Sequence, residues 1–163
     1  MNLNIPYMET DNKRLNDAYR IAAGDIVGNI VYYQNGLLTE EKPCMIAGLD
    51  YNTPWTRDTA INIWNALSIL SPEVSKNTLL AVLEEEEGNI YIGGQYWDSI
   101  IWMIGAREYC RFHKDDNFYR LAFEAGRNSV HRLEEDEFDE EDGLFRGPAV
   151  YGDGIAAYPD KYS

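Results

Sequence analysis

The chain has 163 residues, 45% hydrophobic and 13% aromatic, enough apolar surface and length for one domain with a real core, which excludes a disordered chain. Its 14 basic and 28 acidic residues leave a net charge of -14, a field that repels nucleic-acid phosphates and anionic membrane surfaces. Residues 1–14 hold no signal-peptide core and no stretch approaches the roughly 18 apolar residues of a membrane span, so a soluble, cytoplasmic protein is expected.

In chain order, Leu15, Tyr19, Ala22, Ile26 and Ile30 recur at helical steps and predict a long amphipathic helix over 11–33, weakened by Gly24 and Gly28. Residues 34–54 carry Gly36, Pro43, Gly48, Asn52 and Pro54 and read as a long loop with room for short extended pieces. A second helix is expected over 58–70, with Ile61, Trp64, Leu67 and Ile69 as its apolar residues. Ser71 then caps a third helix, with Pro72 at its first position, running to about residue 87. A weak strand signal covers 89–92. A fourth helix is expected over 98–113 and a fifth over 116–133. The acidic run 134–142 reads as a solvated loop. The fold expected from this pattern is all-α, a single domain over 1–163 built of antiparallel helical hairpins.

Several familiar chemistries are missing. Counting from Gly143 as the central glycine of a calcium loop puts Phe138 at the first ligand and Ala149 at the last, so no EF-hand forms. His113 and His131 are not four apart, and no phosphate-loop or dinucleotide pattern occurs. Cys44 and Cys110 lack metal-type spacing and read as free thiols. No metal and no cofactor is implied.

What recurs is an aromatic residue close to an aspartate at or before a helix start: Trp55-Thr56-Arg57-Asp58, Trp97-Asp98 and Tyr151-Gly152-Asp153. The aspartates are 40 and 55 residues apart, room each time for a helix out and a helix back, so alternate helices would begin at one end of the molecule. Aromatic faces suit the apolar side of a sugar ring, carboxylates its hydroxyls, and the Arg57 fork can fix hydroxyls in direction. Glycosidic cleavage needs a carboxylic acid to protonate the leaving oxygen, and Asp153 is the choice for it. Nothing in the chain clearly supplies the base.

The string Ala47-Gly48-Leu49-Asp50-Tyr51-Asn52-Thr53-Pro54-Trp55-Thr56-Arg57-Asp58 resembles the aromatic-x-Arg-Asp signature that opens an inner helix in six-hairpin glycosidases, the (α/α)6 toroids that include glucoamylases, glycogen-debranching glucosidases and trehalase-like enzymes. The resemblance implies that Arg57 and Asp58 bind the non-reducing sugar. It implies that Trp97 and Asp98 form a second substrate-contacting corner and that the segment of Tyr151 and Asp153 carries the general acid. A closed ring of six hairpins at roughly 12 residues per helix needs more than about 250 residues. The expectation is an incomplete (α/α)6 catalytic domain, lacking a C-terminal half, that in isolation self-associates or is poorly stable because apolar helix faces stay exposed. The substrate expected is an α-glucoside-type oligosaccharide or polysaccharide, cleaved by inversion. A helical-repeat interaction protein without catalysis, or a glycoside phosphorylase, remains open.

Overall fold

The computed structural model describes residues 5–95 and 97–145. Helix α1 (Lys13–Gly28) opens where the Asn12 side chain accepts from the N–H groups of Arg14 and Leu15, satisfying donors that a first turn leaves bare. It closes well before residue 33. Its two glycines weaken the helix, and the β-branched and aromatic run that follows becomes strand β1 (Ile30–Tyr33). Strand β2 (Lys42–Met45) pairs with it antiparallel, Ile30 opposite Met45 and Tyr33 opposite Lys42.

Helix α2 covers 56–70 as an α-helical part Thr56–Asn62, a π turn Ile63–Leu67 and a last turn Ser68–Leu70. Its expected apolar set divides: Leu67 is buried, whereas Ile61, Trp64 and Ile69 are exposed. Ser71 caps α3 (Pro72–Ala81), accepting from Val74 N at 3.4 Å with Pro72 in the first turn, as the Ser-Pro pair predicts. The continuation to residue 87 does not form. Instead β3 (Leu83–Glu86) pairs with β4 (Asn89–Ile92) through Glu87 and Gly88, whose φ angles are 51° and 79°. Two successive positive φ values make the mirror-image turn that matches strand twist, and the glutamate run alternates across a ribbon instead of crowding onto one helix face.

Helix α4 (Asp98–Phe112) ends within a residue of expectation. Helix α5 (Asp116–Glu137), capped by Asp115 accepting from Phe118 N at 3.0 Å, runs past residue 133 and absorbs the start of the acidic run. Strands β5 (Phe138–Asp139) and β6 (Leu144–Phe145) pair antiparallel after it.

The expectation of an all-α chain of helical hairpins, part of an (α/α)6 toroid, is corrected by these elements. The described residues form a mixed α/β body of five helices and three two-stranded antiparallel ribbons, two set between helices and one after the last, with no toroid of hairpins. The physical reason is local. Helical spacing at 11–33 and helix-compatible glutamates before Gly88 concealed two segments whose turn chemistry and β-formers favour ribbons.

One anticipated relation does appear, between α2 and α4. Thr56 at the start of α2 meets Gly93 and Gly94 just ahead of α4; Ala60 packs on Gly105; and the Ser68 carbonyl near the end of α2 accepts from His113 Nε2 at 2.6 Å after α4. The two helices therefore lie side by side, parallel, with both starts at one end. Gly105 permits the approach, since a Cβ there would stand 2.8 Å from Ala60 Cα. Helix α5 returns antiparallel, with Gly126 on Met103 and Phe118 on Tyr109. Ile63, Leu67, Leu79, Trp102, Phe118 and Ala125 form the heart of the core. The Trp102 indole N–H donates to Leu79 O at 3.3 Å, so even this ring is satisfied.

Candidate functional site

The shared start of α2 and α4 is a rim assembled from backbone outward. Thr56, buried, donates from Oγ1 to Gly93 O at 2.7 Å and so ties the first turn of α2 to the exit of β4. Gly93 N donates to Val82 O at 2.9 Å, closing the ribbon. Gly94 has φ of +118°, and a Cβ there would meet Thr56 Oγ1 at 2.8 Å and Asp98 Oδ2 at 2.9 Å, so only glycine fits between the two helix starts.

Asp98 holds the next corner. Its Oδ2 accepts from Gln95 N at 2.9 Å while its own N–H donates to Gln95 O at 2.8 Å, and the residue is buried. The reciprocal pair fixes the turn into α4, as a capping box does.

A cleft of about 220 Å³ opens beside this rim, lined among others by Asn35, Thr53, Trp55, Glu84, Gly93 and Gly94. Pro54 is buried and sets the approach to α2; Trp55 stands edge-on to Tyr51 at 6.1 Å between centroids and keeps 41% of its surface exposed. Thr53 Oγ1 lies 2.8 Å from the Tyr33 hydroxyl, which anchors the segment to β1. Glu84 points out of β3 as the only charged side chain among the described lining residues. The arrangement can hold a small ligand between an indole and a carboxylate, with an amide and a hydroxyl nearby.

Of the residues singled out from sequence, Trp55 lines the cleft, and Arg57 and Asp58 sit half-buried in the adjoining first turn of α2, both partnered. Asp98 is at the same rim, but its carboxylate serves the corner. Trp97 is half-buried and packs edge-on to Phe145 at 6.4 Å, so its ring meets the β5–β6 ribbon. Tyr151 and Asp153 lie outside the described residues. Asn35 and Glu84 were missed. The strand alternation that places Leu83 inward and Glu84 outward is the signal for Glu84, and the helix-compatible glutamate run hides it.

Among the described residues no group of three or more His, Cys, Asp or Glu could hold a metal ion, and no helix is long and apolar enough to cross a membrane. No protein-family model, curated protein or solved structure matches the chain.

Proposed function

We propose that this chain supplies the sugar-binding rim of a glycoside hydrolase acting by inversion on an α-glucoside-type oligosaccharide. The observation that carries the reading is the exposed Trp55 indole at a cleft that also presents Glu84 and Thr53, beside the turn holding Arg57 and Asp58. An aromatic face takes the apolar side of a pyranose, and fixed polar groups around it read the hydroxyls. The likeness of residues 47–58 to the signature segment of six-hairpin glycosidases supports the same assignment. Inversion requires an acid on the leaving oxygen and a second carboxylate roughly 6.5–9.5 Å away to activate water. Asp153 is assigned the acid, and Trp97 and Tyr151 are assigned contacts with the substrate. Asp98 is a poor base because its carboxylate already accepts inside the corner. Two free thiols, Cys44 and Cys110, suit a reducing cytoplasmic compartment.

Titration with maltose or a glucose-type iminosugar, followed by tryptophan fluorescence, tests this. Trp55→Ala is expected to abolish binding, read by calorimetry because the substitution removes a reporter indole, and to leave the chain folded at a cost of about 1–2 kcal/mol for the part-buried ring. A wild-type chain whose fluorescence stays flat through millimolar sugar would refute the proposal. Inorganic phosphate in the assay separates phosphorolysis from hydrolysis.

A further inference from the structure

The end of α3 and the start of the β3–β4 ribbon form one wall of the cleft, through Ala81, Val82, Leu83 and Glu84. A helix gathers partial negative charge at its carboxyl end, and α3 has no basic residue in its last turn to offset it. Of its last carbonyls, Leu80 O accepts from Leu37 N at 3.1 Å, whereas Ala81 O, at the wall, receives Asn35 Nδ2 at 3.4 Å, a long contact. The start of α2 also reaches the cleft at Thr56, but Asp58 in its first turn offsets the opposite end of that dipole.

Glu84 adds a full charge to that wall. The lack of a side chain at Gly93 makes room for its carboxylate, since a Cβ there would stand 2.5 Å from Oε1. Two residues on, Glu86 is held by Arg132 at 2.6 Å; Glu84 has no such cation among the described residues. None of the described lining residues is Lys, Arg or His, and Arg57, in the adjoining turn, has its own partner. Behind Gly94 lies a second carboxylate, the buried Asp98, with Oδ2 2.9 Å from where a Gly94 Cβ would be. The lining hydroxyls are engaged within the fold, Thr56 Oγ1 on Gly93 O and Thr53 Oγ1 against the Tyr33 hydroxyl. The cleft therefore offers a ligand mainly acceptors and an exposed indole.

We propose, resting on the sugar-binding reading above, that the cleft selects a sugar carrying a protonated amine, with the ammonium held between Glu84 and the Trp55 ring. An ammonium has three donors and no acceptor, which suits a site rich in acceptors, and an indole attracts a cation through its quadrupole. A neutral sugar brings hydroxyl lone pairs for which the cleft has few free donors. An anionic sugar is repelled by Glu84 and by the field of a chain of net charge -14, which draws cations in.

Calorimetric titration of the full chain with glucosamine, glucose and N-acetylglucosamine is the test, run at about pH 6, where an amine of ordinary α-amino strength is protonated. Glucosamine is expected to bind at least about tenfold more tightly than either neutral sugar, with the gap narrowing as salt is raised. Glu84→Gln should erase that preference, whereas Glu86→Gln, at the ribbon tip and held by Arg132, should keep it. Far-UV circular dichroism checks that both variants stay folded. Glucose binding as tight as glucosamine binding, a preference that survives Glu84→Gln, or one that Glu86→Gln also removes would overturn the amine assignment and leave the sugar reading standing. Ethanolamine, an amine without a ring, should bind more weakly than glucosamine; equal binding would overturn the sugar and with it the proposal. A chain that binds none of the three sugars overturns both readings.

Discussion

The two ends of the α2–α4 pair are built from similar side chains and put them to opposite use. At the far end, Lys76 Nζ donates to Asp115 Oδ2 at 2.6 Å, the Tyr109 hydroxyl donates to the same oxygen at 3.4 Å, and His113 Nε2 donates to Ser68 O at 2.6 Å. The Tyr109 ring lies 5.0 Å from both Phe118 and His113. Every one of these polar groups is turned onto another element of the fold. At the rim, Thr56, Gly94 and Asp98 do that closing work, which leaves Trp55 and Glu84 facing the cleft. Polar groups that close a fold are matched to each other, whereas at the rim Trp55 and Glu84 are left facing a cleft.

The largest expected effect comes from forcing the helices apart midway, which strikes both ends at once. Gly105→Val places side-chain carbons against the Ala60 backbone, where even a Cβ would be 2.8 Å from Cα and 3.1 Å from the carbonyl oxygen. Backbone cannot give way as a side chain can, and overpacking of this kind costs about 1–3 kcal/mol or more. Chemical denaturation measures it. Gly126→Ala is the contrasting case: its nearest neighbour is the flexible Met103 side chain, Sδ at 2.7 Å, so a thioether shift should absorb most of the clash, offset by up to about 1 kcal/mol of helix propensity. Equal losses in the two variants would show that the α2–α4 contact is not special.

The same contrast explains what was legible in the chain. Helix starts at Ser71-Pro72 and Asp115 carry their caps in the local sequence, and two of the three aromatic-aspartate pairs, those at Asp58 and Asp98, fall at the shared start of α2 and α4. Trp55 could be read because Pro54 and the following helix fix where it points. The role of Asp98 could not. A carboxylate at a helix start serves equally as cap or ligand contact, and the choice rests on Gly94 and Gln95 folding back over it. The ribbons were lost for another reason: Ile30–Tyr33 continued a helical period by coincidence of spacing, and the partner that makes it a strand, Lys42–Met45, lies across a loop. Glu84 went with the second ribbon.

At the far end, Asp115 is the joint to break. Lys76 above all, then the Phe118 N–H, hold its carboxyl below the usual aspartate range. A depressed folded-state value means the contribution is complete above the unfolded value, roughly 3.9, and is lost as pH falls from there through the folded value. Asp115→Asn should therefore cost about 1 kcal/mol near neutrality, through a weaker cap and the lost ion pair, and lessen the fall in stability below pH 4. Urea denaturation at neutral and acidic pH gives both numbers. An unchanged acid limb would mean that the ion pair contributes nothing in solution.

The smallest effect separates the two ends most cleanly. Glu84 leaves β3 with its side chain exposed, and its carboxylate lies over Gly93, where an added Cβ would meet Oε1 at 2.5 Å. Glu84→Gln keeps shape and hydrogen-bonding capacity and removes only charge. Stability should move by no more than about 0.5 kcal/mol, because nothing closes through this group. Binding should respond, since a hydrogen bond to an ionised acceptor is worth about 1 kcal/mol more than one to a neutral amide, or roughly fivefold in affinity for a polyhydroxy ligand. Measured side by side by thermal denaturation and sugar titration, the two readouts must separate. If Glu84→Gln destabilises the fold as Asp115→Asn does, the rim is another closed end and the cleft has no ligand to explain.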